Sequence, residues 1–428
     1  MSAPVDRLLA FLDASPTPYH AVATTAARLE GLGFTALDEA GEPEALSPGA
    51  RRYIVRAGSI VAFRVGAAPV AEAGFRITAA HTDSPNLRLK PQPIVRTEGY
   101  VRLGVEVYGG VITATWADRD LGLAGRVFNR NGDGQLVDIR RPVCRVPNLA
   151  IHLNREVNKK GLLLNAQTQL PAVLTLDTET EDPLRTMLSA ELGCQADDIA
   201  TWDLMLYDLT PAALGGAHQE FVFSARLDNL ACSHAALEGM AGAVEADLPP
   251  CTTVVALFDH EEIGSTTSRG ARGRYLESVL HRIERDTTER APGGLDRALV
   301  RSMLVSADMA HAVHPGFTDK HDRQHMPKIN AGPCIKLNHN HRYTTEGDTS
   351  ALFLRVCEHA NVPVQWFVNR SDLACGSTVG PILASSLGMP ALDVGNPMLS
   401  MHSAREMAGA ADHPQLCAAL RAFFEGYG

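Results

Sequence analysis

From about residue 218 to the C-terminus, short apolar runs alternate with segments of helical periodicity. The runs TTVVALF (252–258), SMLVSA (302–307) and PALDV (390–394) have the length and apolar character of buried strands. The segments 226–243 and 348–360 carry apolar residues at helical spacing. Because alternating strands and helices pack as a sheet covered by helices, this half of the chain predicts an α/β fold with a mixed sheet.

The rest of the chain divides into two regions that differ in composition and sequence pattern. Up to about residue 91, a helical segment precedes short strands such as SIVAFRV and GFRITAA, as in the C-terminal half. Residues 92–217 are instead rich in Gly, Pro and β-branched residues, as in VEVYGGVITATW. We therefore expect one α/β catalytic domain, residues 1–91 and 218–428, interrupted by an inserted β-rich domain, residues 92–217.

Composition excludes several classes of function. The 428-residue chain has a formal net charge of −10 and no Lys/Arg-rich run, so we do not expect nucleic acid as a main partner. Its eight cysteines are scattered without a CxxC pair, which favours reduced thiols in the cytoplasm. The N-terminal segment lacks the apolar core of a signal peptide, and no run is long enough to predict a membrane span.

Acidic residues and histidines follow five of the apolar segments. They are His81 and Asp83, then Asp228, then Asp259 with Glu261 and Glu262, then Asp308, and finally His402. We expect these segments to end at one edge of the sheet, where α/β proteins bind ligands. A set of histidines and carboxylates without cysteine suits Zn, Mn or Co, and it exceeds the needs of one ion. Two ions sharing a carboxylate would explain it. Spacing alone leaves helix caps and solvated loop charges as the alternative.

Eight motifs, in order along the chain, resemble the aspartyl aminopeptidase family of dinuclear zinc exopeptidases, as found in bacteria. The resemblance runs from about Leu12 to about Phe424. The motifs are AAHTDSPNLRLKP, YGGVITATWADRDLGLAGRV, NLAIHLNR, RLDNL, FDHEEIGS, SADMAHAVHP, CGSTVGPILASSLG and MHSAREM. The resemblance implies an α/β zinc-exopeptidase domain carrying a β-rich oligomerisation insert.

The resemblance also implies a role for each metal-site residue. His81 and Asp308 would hold one divalent ion, Glu262 and His402 would hold the other, and Asp228 would bridge the two. The ions would most commonly be Zn²⁺, although Co²⁺ and Mn²⁺ accept the same ligands.

Two further residues receive roles in catalysis. Glu261 would stay off the metal and act as general base toward a metal-bridging water, then pass the proton to the leaving amine. Asp83 would orient His81 by bonding its other ring nitrogen.

The resemblance implies two residues that act on the substrate. His152, in the insert, would reach the active site of a neighbouring subunit, although a structural histidine in the β-rich domain is an equal alternative on sequence alone. Lys336 would bind an acidic N-terminal side chain, and Lys328 and Arg342 are the reserve candidates for this role. The alternative is that Lys336 is a solvated lysine at the surface.

The function implied is a metal-dependent aminopeptidase that removes Asp or Glu from the N-terminus of peptides. The assembly implied is a homo-oligomer, a dodecamer in the family, with neither nucleic acid nor membrane as a partner. One rival is a related dinuclear hydrolase, either an amino-acid deacylase or a broad-specificity aminopeptidase, with the same ligands but another pocket. The other rival is a non-catalytic binding protein on the same fold.

Overall fold

The computed structural model describes residues 4–287 and 293–427, and these form twenty β-strands. The strands are β1 (Thr35–Ala36), β2 (Arg51–Arg56), β3 (Ser59–Arg64), β4 (Phe75–His81), β5 (Asn86–Thr97), β6 (Tyr100–Tyr108), β7 (Leu121–Asn129), β8 (Gly134–Cys144), β9 (Ala172–Thr175), β10 (Ile199–Asp208), β11 (Ala213–Gly215), β12 (Phe221–Ser224), β13 (Thr252–Phe258), β14 (Met303–Ala307), β15 (Ala310–His311), β16 (Cys334–Leu337), β17 (Gln365–Val368), β18 (Ala391–Gly395), β19 (Pro397–Leu399) and β20 (Glu406–Gly409).

Eleven α-helices lie in the same described ranges. They are α1 (Pro4–Asp13), α2 (Pro18–Glu30), α3 (Val70–Ala73), α4 (Val157–Lys160), α5 (Pro183–Leu192), α6 (Leu227–Val244), α7 (Tyr275–Asp286), α8 (Gly294–Val300), α9 (Gly347–His359), α10 (Val379–Leu387) and α11 (Asp412–Phe424). Single 3₁₀ turns are formed by Thr113–Trp116, Ala196–Asp198, Glu261–Ile263 and Thr318–Lys320.

The largest sheet has nine strands in the order β1-β2-β3-β13-β4-β14-β18-β16-β17. Its four central strands, β13, β4, β14 and β18, are mutually parallel, whereas β3 and β16 flank them in antiparallel orientation. The mixed α/β sheet predicted from the alternation of strands and helices is confirmed. Because the central strands run in one direction, their carboxyl ends meet at one edge of the sheet.

Helices cover both faces of this sheet, which explains why its central strands are mostly apolar. All seven residues of β13 are buried. Val255 and Leu257 pack on one side in a core that contains residues of α6 and α11, and Val254 and Phe258 pack on the other side with residues of α7 and α10. A strand buried on two faces has no polar alternation, as in other parallel sheets of α/β proteins.

The middle of the chain forms a separate six-stranded antiparallel sheet, in the order β8-β7-β10-β5-β6-β9, with its own apolar core. Its strands span residues 86–208, so the boundary expected at residue 91 falls inside β5, and the last strand ends before the boundary expected at 217. A five-stranded sheet, β11-β12-β20-β19-β15, completes the fold.

The expectation that all five acidic or histidine-bearing segments end at one sheet edge is wrong for two of them. Asp228 follows β12 and His402 follows β19, and both strands belong to the five-stranded sheet. The reason is that the apolar run 390–400 is divided at Asn396, where the chain leaves the large sheet and enters the small one. Within the described residues, no helix has both the length and the apolar character needed to cross a bilayer.

Candidate active site

Three loops that follow central strands bring the first group of side chains together. His81 is the last residue of β4, Asp308 comes directly after β14, and Glu261 and Glu262 begin the 3₁₀ turn that follows β13. These strands are neighbours in the sheet and run in parallel. Because each polar residue lies at the carboxyl end of its strand, the polar side chains of neighbouring parallel strands form one cluster.

Asp228 and His402 reach the same cluster from the five-stranded sheet. Asp228 lies at the start of α6 in a non-helical conformation, before a cis peptide bond to Asn229. Its N–H donates to Glu406 Oε2 at 3.1 Å, and the His402 N–H donates to Glu406 Oε1 at 2.7 Å. The buried Glu406 carboxylate thus binds both backbones. Burial, reinforced by the charge of Asp228, raises the pKa of Glu406 to about 8. Sequence reasoning missed this residue, although it lies in the motif that contains His402.

Asp228 stands between two pairs of potential ligands. His81 Nε2 lies 3.6 Å from Asp228 Oδ1 and 3.8 Å from Asp308 Oδ1. His402 Nε2 lies 3.2 Å from Asp228 Oδ2 and 3.3 Å from Glu262 Oε1. Each oxygen of one carboxylate therefore faces a different histidine–carboxylate pair.

The cluster has the properties of a cation site. Ligand atoms of His81, Asp228 and Glu262 all lie within 4.8 Å of one another. Asp228 Oδ1 and Glu262 Oε1 are buried, and no hydrogen bond reaches them from the described residues. Burial, together with the negative charge of Asp228, raises the pKa of Glu262 to about 7 against the opposing effect of His402. A bound cation would satisfy these oxygens and relieve the crowding of negative charge.

Glu261 lies beside the cluster and is less enclosed than its neighbour. Its side chain is 16% exposed, against 5% for Glu262, and its Oε2 is 3.9 Å from His81 Nε2. Burial raises the pKa of Glu261 well above its ordinary value; His81 opposes this, and Asp308 and Glu262 add to it. Glu261 is therefore a carboxyl group with a high proton affinity, open to the cavity.

Asp83 holds the two glutamates and His81 in place. The backbone N–H groups of Glu261 and Glu262 donate to its two carboxylate oxygens, each at 3.1 Å, and the Tyr108 hydroxyl donates to Oδ2 at 2.6 Å. Burial alone would raise the pKa of Asp83, but the bonds from His81 and Tyr108 bring it below its ordinary value. Asp83 is therefore a buried, ionised hydrogen-bond acceptor.

The tautomer of His81 follows from its partners. Its Nδ1 lies 3.0 Å from the Asp83 carbonyl oxygen and 3.5 Å from Asp83 Oδ1, and both oxygens can only accept. Nδ1 therefore carries a proton, and Nε2, which faces the carboxylates of Asp228 and Asp308, is the nitrogen that could bind a metal ion.

The six-stranded sheet contacts the cluster through Tyr108, Gly109 and Gly110, at and just beyond the end of β6. Gly109 adopts φ +71°, and a Cβ there would approach the Glu262 Cβ to 3.0 Å. A Cβ on Gly110 would meet His402 Nδ1 at 3.0 Å, and the Gly110 carbonyl lies 3.1 Å from that nitrogen. These residues begin the motif YGGVITATWADRDLGLAGRV, and the sequence does not predict their contact with the cluster.

Comparison with known proteins decides the family. Residues 11–424 match the profile of the family described as aminopeptidase I zinc metalloprotease (M18). The chain belongs to the M18 family. It is therefore a metalloaminopeptidase, a hydrolase, and the family resemblance read from the motifs is confirmed.

Two kinds of relative support this assignment. A probable M18 family aminopeptidase 2 of Stutzerimonas stutzeri is 47% identical over 426 residues, which cover 97% of each chain. Among solved structures, Ape4 in a complex with Nbr1 is 40% identical with a TM-score of 0.95, covering 99% of this chain and 86% of that one. The S. cerevisiae mApe1 dodecamer is 29% identical with a TM-score of 0.86, covering 99% and 96%.

Lys336 lies at the wall of the cavity that contains the metal-site cluster in this M18 chain. The cavity has a volume of about 500 Å³. The Lys336 side chain is almost fully buried; its Nζ donates to the Met309 carbonyl at 3.2 Å and lies 3.6 Å from Asp308 Oδ2. Burial would lower the pKa of Lys336, but Asp308 and Asp393 bring it above its ordinary value. Of the reserve candidates, Arg342 lines the same cavity and Lys328 does not.

His152 does not join the cluster within one chain. It lies on an exposed turn after β8, and no contact between it and the candidate metal ligands occurs in the described residues. Its neighbours Leu149, Ile151 and Leu153 are 59%, 46% and 75% exposed. The turn is therefore an apolar projection on the surface of the single chain.

Proposed function

We propose that this M18 enzyme removes N-terminal Asp or Glu residues from peptides with the help of two divalent metal ions, most simply Zn²⁺. The observation that carries the two-ion part is the position of Asp228, whose two carboxylate oxygens each face a separate histidine–carboxylate pair. One ion would require three or four protein ligands, and this set offers more. A shared carboxylate between two pairs is the arrangement that two ions use.

In this proposal His81 and Asp308 hold one ion, Glu262 and His402 hold the second, and Asp228 serves both. When bound, the ions polarise the scissile carbonyl and lower the pKa of the attacking water. Co²⁺ or Mn²⁺ would satisfy the same nitrogen and oxygen ligands. Chelation should abolish hydrolysis, and addition of Zn²⁺, Co²⁺ or Mn²⁺ should restore it. Active protein without any transition metal would contradict the proposal.

Glu261 is the proposed general base. It accepts a proton from the attacking water and delivers it to the leaving amine, a role that suits a carboxyl group of raised pKa facing the cavity. Glu261→Gln should lower kcat by about a hundred- to ten-thousandfold while metal content stays the same. Glu358→Gln, an exposed residue of α9, is the matched control and should keep full activity. Equal turnover by Glu261→Gln and wild type would remove Glu261 from this role.

Asp83 is proposed as the residue that orients His81, since its carbonyl and carboxylate both lie near Nδ1. Asp83→Asn should therefore weaken metal binding as well as turnover. Loss of turnover with unchanged metal affinity would place its effect elsewhere, in the turn that carries Glu261 and Glu262.

Lys336 is proposed to bind the acidic side chain of the N-terminal residue. An acidic substrate entering a cavity lined by carboxylates requires a cation, and the Lys336 ammonium lies on that wall. Lys336→Met should lower kcat/KM about ten- to a hundredfold on Asp- and Glu-amides and little on Ala- or Leu-amides. Lys328→Met, outside the cavity, is the control. Wild type that cleaves Leu-amides as fast as Asp-amides would favour the broad-specificity rival instead.

The proposed assembly is a homo-oligomer, and a dodecamer by analogy with mApe1. We propose that the inserted β-rich unit, expected over residues 92–217, serves oligomerisation. The exposed apolar residues beside His152 support this role, because contiguous apolar surface favours a protein partner. His152 would then help complete the active site of a neighbouring subunit. We also propose a cytoplasmic location, since all eight cysteines are free thiols.

A further inference from the structure

A second cavity lies directly beside the catalytic one. It has a volume of about 770 Å³ and is bordered by the residues after β16, by the loop after β17 and by α10. The two cavities share the lining residues Arg272, Arg342, Ser377 and Ile382. They are therefore two parts of one continuous depression.

The two parts differ in their acidic side chains. The catalytic cavity is lined by four carboxylates, those of Asp228, Glu261, Glu262 and Asp308. The lining of the second cavity, as far as the structure describes it, contains no Asp or Glu. Its arginines and histidines are Arg272, Arg342, Arg370, His339 and His341.

Arg272 and Arg342 are the arginines at the junction whose charge no carboxylate offsets. Arg370 is already paired with Asp372, at 2.6 Å. Arg272 donates through Nε to the Gly264 carbonyl at 3.3 Å, and in the described structure no ion pair reaches either its guanidinium or that of Arg342. Both side chains are exposed, so an incoming anion can reach them.

Both arginines lie close to segments that carry proposed active-site residues. Gly264 follows the turn that begins with Glu261, so Arg272 is hydrogen-bonded to the segment that carries the proposed base. Arg342 precedes Tyr343, a buried residue whose ring centre lies 4.9 Å from Lys336 Nζ. A peptide that occupies the catalytic cavity must therefore pass both arginines if it extends into the second cavity.

The direction of the peptide follows from enclosure. Lys336 is almost fully buried within the large sheet, so the N-terminal residue that reaches it occupies the closed end of the depression. The residues after the scissile bond would then extend toward the second cavity, which shares four lining residues with the catalytic one. We propose that Arg272 and Arg342 form a subsite that binds a carboxylate of the substrate on the C-terminal side of the scissile bond. This inference rests on the proposed function.

Two carboxylates of a peptide could occupy such a subsite: the C-terminal carboxylate of a short peptide, or an acidic side chain of a longer one. The first arm of the test measures kcat/KM for peptides of increasing length, from dipeptide to pentapeptide, each as the free acid and as the C-terminal amide. The second arm compares amidated peptides that differ only by Glu or Gln at successive positions after the scissile bond. Both arms use the N-terminal residue that the wild-type enzyme cleaves fastest.

We expect kcat/KM to be about three- to tenfold higher for the charged peptide of a pair at one length or position. The factor is small because a single charge-assisted hydrogen bond at an exposed site contributes little free energy. Raising the ionic strength should shrink this preference. The variants Arg272→Gln and Arg342→Gln should each reduce it, and the double variant should abolish it. The matched control is Arg355→Gln, an exposed arginine of α9 that lines neither cavity; it should keep the wild-type preference.

Two results would overturn the proposal: equal kcat/KM for charged and neutral members at every length and position, or a preference that survives in the double variant. A preference confined to the first arm would identify the terminal carboxylate as the ligand, and one confined to the second arm would identify the side chain. Each pair of peptides shares the same N-terminal residue, so this test does not depend on which residue the enzyme prefers there. Failure of the proposed acidic specificity would appear instead in the comparison of Asp- and Glu-amides with Ala- and Leu-amides.

Discussion

Replacement of Tyr108 by Phe should slow catalysis without removing any group from the cavity. The Tyr108 hydroxyl donates to Asp83 Oδ2 at 2.6 Å, and the same carboxylate accepts the backbone N–H groups of Glu261 and Glu262. Tyr108 belongs to the six-stranded sheet, whereas the glutamates follow a strand of the large sheet. The hydroxyl is therefore a link between the inserted sheet and the turn that carries the proposed base.

The magnitude follows from the environment of Asp83. Its side chain is fully buried, so water does not replace the lost donor. One charge-assisted hydrogen bond to this carboxylate is removed, which corresponds to about 1.5–3 kcal/mol. If this free energy is lost from the positioning of Glu261 and Glu262 in the transition state, kcat/KM falls about ten- to a hundredfold, mostly through kcat.

The control is Tyr53→Phe, which removes a hydroxyl that donates to Glu30 Oε1, also at 2.6 Å, away from the cluster. Chemical denaturation should show lower stability for both variants, whereas steady-state kinetics should show lower kcat only for Tyr108→Phe. Metal content, measured on the same samples, should stay at the wild-type level. A Tyr108→Phe enzyme with kcat within about twofold of the control would refute the reasoning, since the bond would then have no influence on catalysis.

Three further predictions concern the metal site, the assembly and the pH dependence of stability. Asp228→Asn should lower the affinity for both ions at once, and loss of a single ion with activity retained would rule out a shared ligand. His152→Ala should lower turnover with metal content intact, and mixed oligomers of His152→Ala and Glu261→Gln chains should regain activity; verified mixed oligomers without recovery would contradict a site completed by a neighbour. The rings of His234 and His413 are buried against each other, 2.9 Å apart at Nδ1 and Nε2, and burial lowers the pKa of His234 to about 3. His234 binds a proton in the unfolded chain near pH 6.5 but in the folded chain only near pH 3. The free energy of unfolding should therefore fall by about 1.4 kcal/mol per pH unit on its account as the pH drops from 6.5 toward 3. In His234→Gln, the slope of the free energy of unfolding against pH, measured by chemical denaturation, should be smaller by that amount.

The candidate ligands could be found in the sequence because their signal is local. An apolar strand followed at once by Asp, Glu or His is visible in a few residues, as in TTVVALF followed by DHEE. The strand pattern also indicates that the sheet is parallel and covered on both faces. These two properties are enough to predict that His81, Glu262 and Asp308 lie near one another.

The assignment of strands to sheets could not be predicted from the same pattern. Strand β12, which leads to Asp228, reads like any short apolar strand, yet it pairs with β20 and β11 in the five-stranded sheet. Pairing depends on partners far along the chain, and a period of two residues carries no information about them. The position of residue 91 inside β5 has the same cause: Pro91 interrupts the apolar pattern, but β5 continues through it with a shift in register.

What the sequence by itself determined is the family to which the chain belongs and the set of candidate groups at the site: the nitrogen and oxygen side chains that could bind metal, and the acidic pair Glu261 and Glu262. What only the tertiary structure decided is the support and the surroundings of that chemistry. Glu406 joins the backbones of Asp228 and His402, Tyr108 reaches Asp83 from another sheet, and Arg272 lines both cavities. The physical reason is that ligand chemistry belongs to individual side chains, whereas hydrogen-bond partners and cavity walls arise from segments that folding brings together across long stretches of chain.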